Sequence, residues 1–166
     1  MLLTFLCALI VAALVLFWFF GRRPYKNKNI SQKEIATYIQ LLLDRGFDGG
    51  VLVIEVPKTH YFVQFSKYII RPGVVGLRLS FPRAPWSEEL FAGMRRLVEE
   101  KGYFYRLENV EKGNVSGFLV VDLKTAVDKA TELTQLILAR IFTLDSLQTV
   151  DITCWNISHL DEKIGF

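Results

Sequence analysis

Apolar positions along the chain fall into three patterns: one unbroken run, stripes at helical spacing, and alternation at strand spacing. The run is Leu2–Phe20, nineteen residues without a charge or a Pro. A helix of that length spans roughly 28 Å, close to a bilayer's hydrocarbon core, and predicts a transmembrane anchor over residues 1–21. Helical spacing begins at Ile35, Ile39, Leu42 and Leu43, behind the capping box Ser31-Gln32-Lys33-Glu34 and before Gly46 as a left-handed stop, so a helix is predicted over 32–45. After the turn Asp48-Gly49-Gly50, strands are predicted over 51–56, 61–70 and 74–81. In the last of these Val75, Leu77, Leu79 and Phe81 face one way, and Gly76, Arg78 and Ser80 the other.

Pro82 and Pro85 break the sheet, and Ser87 is expected to cap a helix running to Lys101 and stopped by Gly102. Residues 103–108 and 115–121 read as a hairpin. Asp122 is expected to cap a helix over 124–142 with Val127, Ala130, Leu133, Ile137, Leu138 and Ile141 as its apolar stripe. Val150, Ile152 and Cys154 alternate with Asp151, Thr153 and Trp155, which allows one more short strand. The expected fold class is α+β: a single transmembrane helix, then an α-β-β-β-α-β-β-α domain with an antiparallel sheet. Its divisions are 1–21 (anchor), 22–30 (basic juxtamembrane linker), 31–142 (α+β domain) and 143–166 (C-terminal extension). Over residues 31–142 this order resembles the type III secretion chaperone-like superfamily, which includes the bacterial YbjN-like proteins. The resemblance implies a non-enzymatic module that binds other proteins; the anchor and the extension depart from it.

Charge sharpens the first pattern. The net charge is +3, yet Arg22, Arg23, Lys26 and Lys28 supply four positive charges beside the apolar run, leaving the rest of the chain near neutral. The positive-inside bias then predicts an N-terminus outside and a cytoplasmic C-terminal domain, with Trp18 at headgroup depth. A cleaved signal peptide is the rival reading, against which Phe17-Trp18-Phe19-Phe20 stands where small residues belong. Within the run, Thr4, Cys7, Ala8, Ala12 and Ala13 would let a neighbouring helix approach. Cys7 and Cys154 lie on opposite sides of the expected membrane boundary, so no disulfide is expected. Asn29, Asn114 and Asn156 each open an Asn-x-Ser glycosylation pattern, which argues against a cytoplasmic domain.

Candidate chemistry is sparse. His60 and His159 lack ligands at metal spacing, although Cys154 lies five residues before His159, and a Cys-His nucleophilic pair has no local signature. Glu88 and Glu89 suit a helix N-terminus, and Glu99 and Glu100 sit at helical spacing from Arg95 and Arg96. No catalytic residue, cofactor site or metal site is predicted. A candidate protein-binding surface gathers Lys67, Tyr68, Arg78, Arg83 and Trp86, residue types favoured at binding hot spots. Tyr103-Phe104-Tyr105 puts aromatics on both faces of one strand, one of which needs a cover.

The leading expectation is therefore a membrane-anchored protein-binding module: a tether, assembly factor or accessory subunit of a membrane complex. Its expected partners are the bilayer and another protein, membrane-embedded or membrane-associated; no nucleic acid is expected and no small-molecule substrate is identified. Two other functions remain open: a membrane-bound enzyme with an unrecognised site, and an anionic-lipid or nucleic-acid binder using Arg22, Arg23, Lys26 and Lys28.

Overall fold

Alternating apolar residues on the five inner strands of a seven-stranded antiparallel sheet line one of its sides. The computed structural model describes residues 24–157. The strands are β1 (Tyr25–Ile30), β2 (Gly46–Glu55), β3 (Phe62–Arg71), β4 (Val74–Arg83), β5 (Tyr105–Lys112), β6 (Val115–Lys124) and β7 (Val150–Ile157), in the spatial order β1-β7-β2-β3-β4-β6-β5. Helices α1 (Ile35–Arg45), α2 (Glu88–Glu100) and α3 (Val127–Leu136) pack on that one side. The core is made where Leu52, Ile54, Phe65, Leu79, Phe81, Leu119, Val121 and Ile152 meet Ile35, Ile39, Leu42, Met94, Leu133 and Leu138. No described element covers the other face.

Local signals account for much of this. Ser31 and Glu34 close the capping box, here around a 3₁₀ turn (Gln32–Glu34) that leads into α1. Gly102 takes a left-handed φ of 68° after α2, and the amides of Gly102 and Tyr103 bond the carbonyls of Glu99 and Val98, a Schellman closure. Gly46 serves a different need: its backbone is extended, and a Cβ there would lie 2.4 Å from the Leu42 carbonyl oxygen. Ser87 takes the N-cap position of α2, its carbonyl accepting from the Phe91 amide (2.7 Å), but its side chain does not cap the helix, and Asp122 does not cap α3. The Ser87 hydroxyl is buried and binds the Pro82 carbonyl (2.8 Å) and the Ala84 amide (2.9 Å), fastening the β4–α2 loop. Asp122 stays within β6 and accepts from the Lys124 amide.

The expected fold class requires correction at both ends. Among the described residues no helix is long and apolar enough to cross a membrane. The longest, α2, has 13 residues and a charged outer face, where a span needs about 20 apolar ones. The expected anchor, with Trp18, Arg22 and Arg23, lies outside the described residues. The transmembrane, single-pass and signal-anchor reading, and with it the N-outside, C-cytoplasmic placement, is accordingly not carried further.

The linker reading of 22–30 is corrected as well, because Lys26 and Lys28 belong to β1. Its sequence YKNKNI shows no apolar alternation, and its strand form comes from pairing with β7. Asn29, at φ 57°, carries the irregularity in that ladder, and its amide donates to Asp151 (3.0 Å). The lysines occupy an edge strand, where exposed Lys discourages pairing with another chain.

The residues called an extension likewise enter the sheet. A π-helical turn (Ile137–Ile141) ends α3, and Gln32 donates to the carbonyls of Asp145 and Gln148, tying the following loop to the start of α1. The chain then inserts β7 between β1 and β2, burying Val150, Ile152 and Cys154. Ile152→Ala is expected to lower stability to urea by ~2–5 kcal/mol, the range for truncating a buried Ile. A loss under about 0.5 kcal/mol, typical of surface sites, would show β7 to be peripheral.

Candidate protein-binding face and groove

The uncovered face is organised in rows that run across the strands. One crosses all seven: Lys26, Thr153, Val53, Gln64, Ser80, Val120 and Arg106. A second carries Trp155, Val51, Ser66, Arg78 and Asp122 from β7 to β6. A third begins with Asp151, Glu55 and Phe62, and further along places Pro82 opposite Phe118. A water-facing sheet surface ordinarily alternates to polar residues. Here Val53 and Val120 stand among Thr153, Gln64 and Ser80 in the middle of the face, and Val120 is only 1% exposed although no described element lies over it.

Tyr68 and Arg78 form the centre of polar interaction on this face. Gly76 makes the arrangement possible: a Cβ there would sit 2.9 Å from the Tyr68 ring and 3.0 Å from Ile70, so both side chains lie across the bare backbone. The Arg78 guanidinium then stacks over the Tyr68 ring, 4.4 Å from its centroid. Arg78 Nε is buried without a hydrogen-bond partner among the described residues. Leaving such a donor unmet costs roughly 1–3 kcal/mol. Burial first, and then the Asp122 carboxylate beside it, push the Tyr68 phenol up to about 12, while Arg78 and Arg106 act in the opposite sense.

At the far end of the face lies a groove of about 610 Å³, lined in part by Glu55, Asp151, Phe62, Trp86, Lys58 and His60. The β2–β3 loop forms one wall, held by Thr59, whose hydroxyl donates to the Val56 carbonyl and accepts from the Tyr61 amide. Trp86 projects from the β4–α2 loop fastened by Ser87, and its ring centroid lies 6.0 Å from that of Phe62. Glu55 and Asp151 are direct cross-strand partners, and neither joins an ion pair among the described residues. Like charges in that relation are destabilising.

The surface expected from sequence is therefore divided. Tyr68 and Arg78 come together on the open face, and Trp86 joins it at the groove. Lys67 points the other way, because neighbours on a strand alternate faces and Val63 and Phe65 are in the core. Its ammonium donates to the Leu43 carbonyl in the last turn of α1, a favourable place for a cation. Arg83 reaches toward α2, where it bonds the Glu88 carboxylate (2.9 Å) and holds that carboxyl below its usual range. Of the remaining groups, Glu99 meets Arg95 and Tyr105, and Glu100 makes two 2.8 Å bonds to Arg140 of the π turn. Burial pushes the Cys154 thiol up to about 12, so it carries no thiolate for nucleophilic chemistry at neutral pH.

Sequence reasoning missed Gly76 as a platform, the Glu55–Asp151 pair, and the exposed Trp155. A glycine inside an otherwise regular strand was a readable sign of close approach. The carboxylate pair had no such sign, since β2 and β7 are almost a hundred residues apart in sequence.

Two measurements check this geometry. Tyrosinate absorbance, taken as the difference between the chain and Tyr68→Phe, is expected to place Tyr68 near 12, and Asp122→Asn is expected to lower it. The stability that comes from keeping this phenol protonated is complete below pH 10 and is lost as pH rises toward 12. Glu55→Gln is expected to raise stability in urea by ~0.2–1 kcal/mol, by relieving the like-charge pair; a loss would mean that Glu55 has a stabilising partner.

Comparison with known proteins finds no family model, no curated protein and no solved structure that matches the chain, which leaves the geometry of the face and groove as the ground for a functional reading.

Proposed function

We propose that the chain is a non-enzymatic protein-binding module, an assembly factor or accessory subunit, whose partner docks on the uncovered face of the sheet with Tyr68 and Arg78 as its anchor. The observation that carries this reading is the stacked pair itself: a guanidinium on an aromatic ring, with one donor unmet, beside the uncharged Thr, Val, Gln and Ser in the middle of the face. Arg, Tyr and Trp dominate binding hot spots because they bury large areas at low entropic cost and keep a polar handle. The surroundings agree. Trp155 is 37% exposed, Trp86 43%, and Phe104, which precedes β5, is 81% exposed, so aromatics stand around the face without cover among the described residues. The resemblance of the element order to chaperone-like proteins is consistent with the same use.

A photo-crosslinking residue at Ser66, beside Arg78 on the open face, is expected to give one discrete heavier adduct in cells. The same residue at Lys129, on the helix side, should not. Arg78→Ala should reduce the Ser66 adduct at least about tenfold, as expected for a hot-spot truncation. Adducts equal at both positions, an adduct indifferent to Arg78, or reaction within the chain alone would overturn the reading.

A further inference from the structure

We infer that the groove at the end of the open face receives a basic side chain, the ammonium or guanidinium of a Lys or Arg on the docked partner protein. This rests on the protein-binding reading and adds the chemistry of a second contact. Three features converge. Phe62 and Trp86 supply adjacent aromatic faces, tilted 39° to one another, and aromatic faces attract cations. Glu55 and Asp151 put two carboxylates side by side in the same cavity, and neither joins an ion pair among the described residues. The cavity also continues the docking face, since Asp151, Glu55 and Phe62 form one of its rows.

The groove's other charged or titratable groups do not reverse this complementarity. Lys58 stands on the β2–β3 loop at a left-handed φ of 62°, makes no ion pair among the described residues, and leaves the groove net negative. His60 lies on the same loop, and the Asp151 carboxylate keeps its bond from the Asn29 amide. An entering cation would satisfy both carboxylates at once and remove the repulsion that the free chain carries. A neutral or acidic side chain would bury that repulsion instead. The groove thus selects by charge, and Arg78 selects for an acceptor elsewhere on the same face, so the partner presents a basic and an acidic or carbonyl group in a fixed spatial relation.

The test is an NMR titration of the full, isotope-labelled chain with acetyl-Gly-Arg-Gly-amide, with its Lys counterpart, and with the uncharged isostere acetyl-Gly-citrulline-Gly-amide. Saturable shifts are expected at the Trp86 indole and the Glu55 and Asp151 amides with the Arg or Lys peptide. Affinity should fall roughly tenfold or more with citrulline, and by a similar factor in Glu55→Gln. Glu55→Gln leaves the Asp151–Asn29 bond in place, and its amide spectrum reports whether the fold is intact. Absence of shifts, equal binding of citrulline, or indifference to Glu55→Gln would overturn the inference. The two readings fail separately: an Arg78-dependent adduct at Ser66 without peptide binding removes the groove inference alone, and peptide binding without that adduct removes the docking face alone.

Discussion

The antiparallel pairing of β7 with β2 is the contact on which the rest of the molecule depends. It brings residues about a hundred positions apart into register, places β7 so that its other edge pairs with β1 as an outer strand, and adds Val150, Ile152 and Cys154 to the core. The same register sets Trp155 against Val51 and Asp151 against Glu55 on the opposite side. One ladder thus completes the core and builds the open face. Because side chains alternate along a strand, neither result can shift without the other.

The two sides of the sheet meet different physical demands. On the helix side, buried polar groups have partners: Lys67 ends α1 through the Leu43 carbonyl, Ser87 ties its loop, and Gln32 holds the segment that leads to β7. On the open side the demands are less fully met. Arg78 keeps an unmet Nε, Glu55 faces Asp151, and Val53 and Val120 are shielded by neighbouring side chains instead of a packed layer. Each departure works against the stability of the free chain, and departures of this kind gather where a surface serves something besides folding. The bare backbone at Gly76 belongs with them, since it gives up β propensity to let Tyr68 lie flat beside Arg78.

Local sequence carried the elements whose signals lie within a few residues. Ser31 and Glu34 close their box, Gly102 turns left-handed after α2, and the alternation in Leu77, Leu79 and Phe81 describes the core side of β4. The open face was partly legible by the same means, because Gly76, Arg78 and Ser80 could be placed together on it. Lys67 was misplaced although alternation with Phe65 assigns it to the core side. β1 was not legible, since its polar residues become a strand only against β7.

What the sequence by itself determined is the order of helices and strands between the capping box and the third helix, and the residues that make one side of each apolar. These follow from periodicity, capping and turn chemistry, which act over a single turn or strand. The tertiary structure decided which strands become neighbours, which face stays uncovered, and which distant groups meet there: Tyr68 with Arg78 across Gly76, Glu55 with Asp151, and Phe62 with Trp86. Strand neighbours are chosen by the packing of the whole core, and a cross-strand contact leaves no mark in either local sequence.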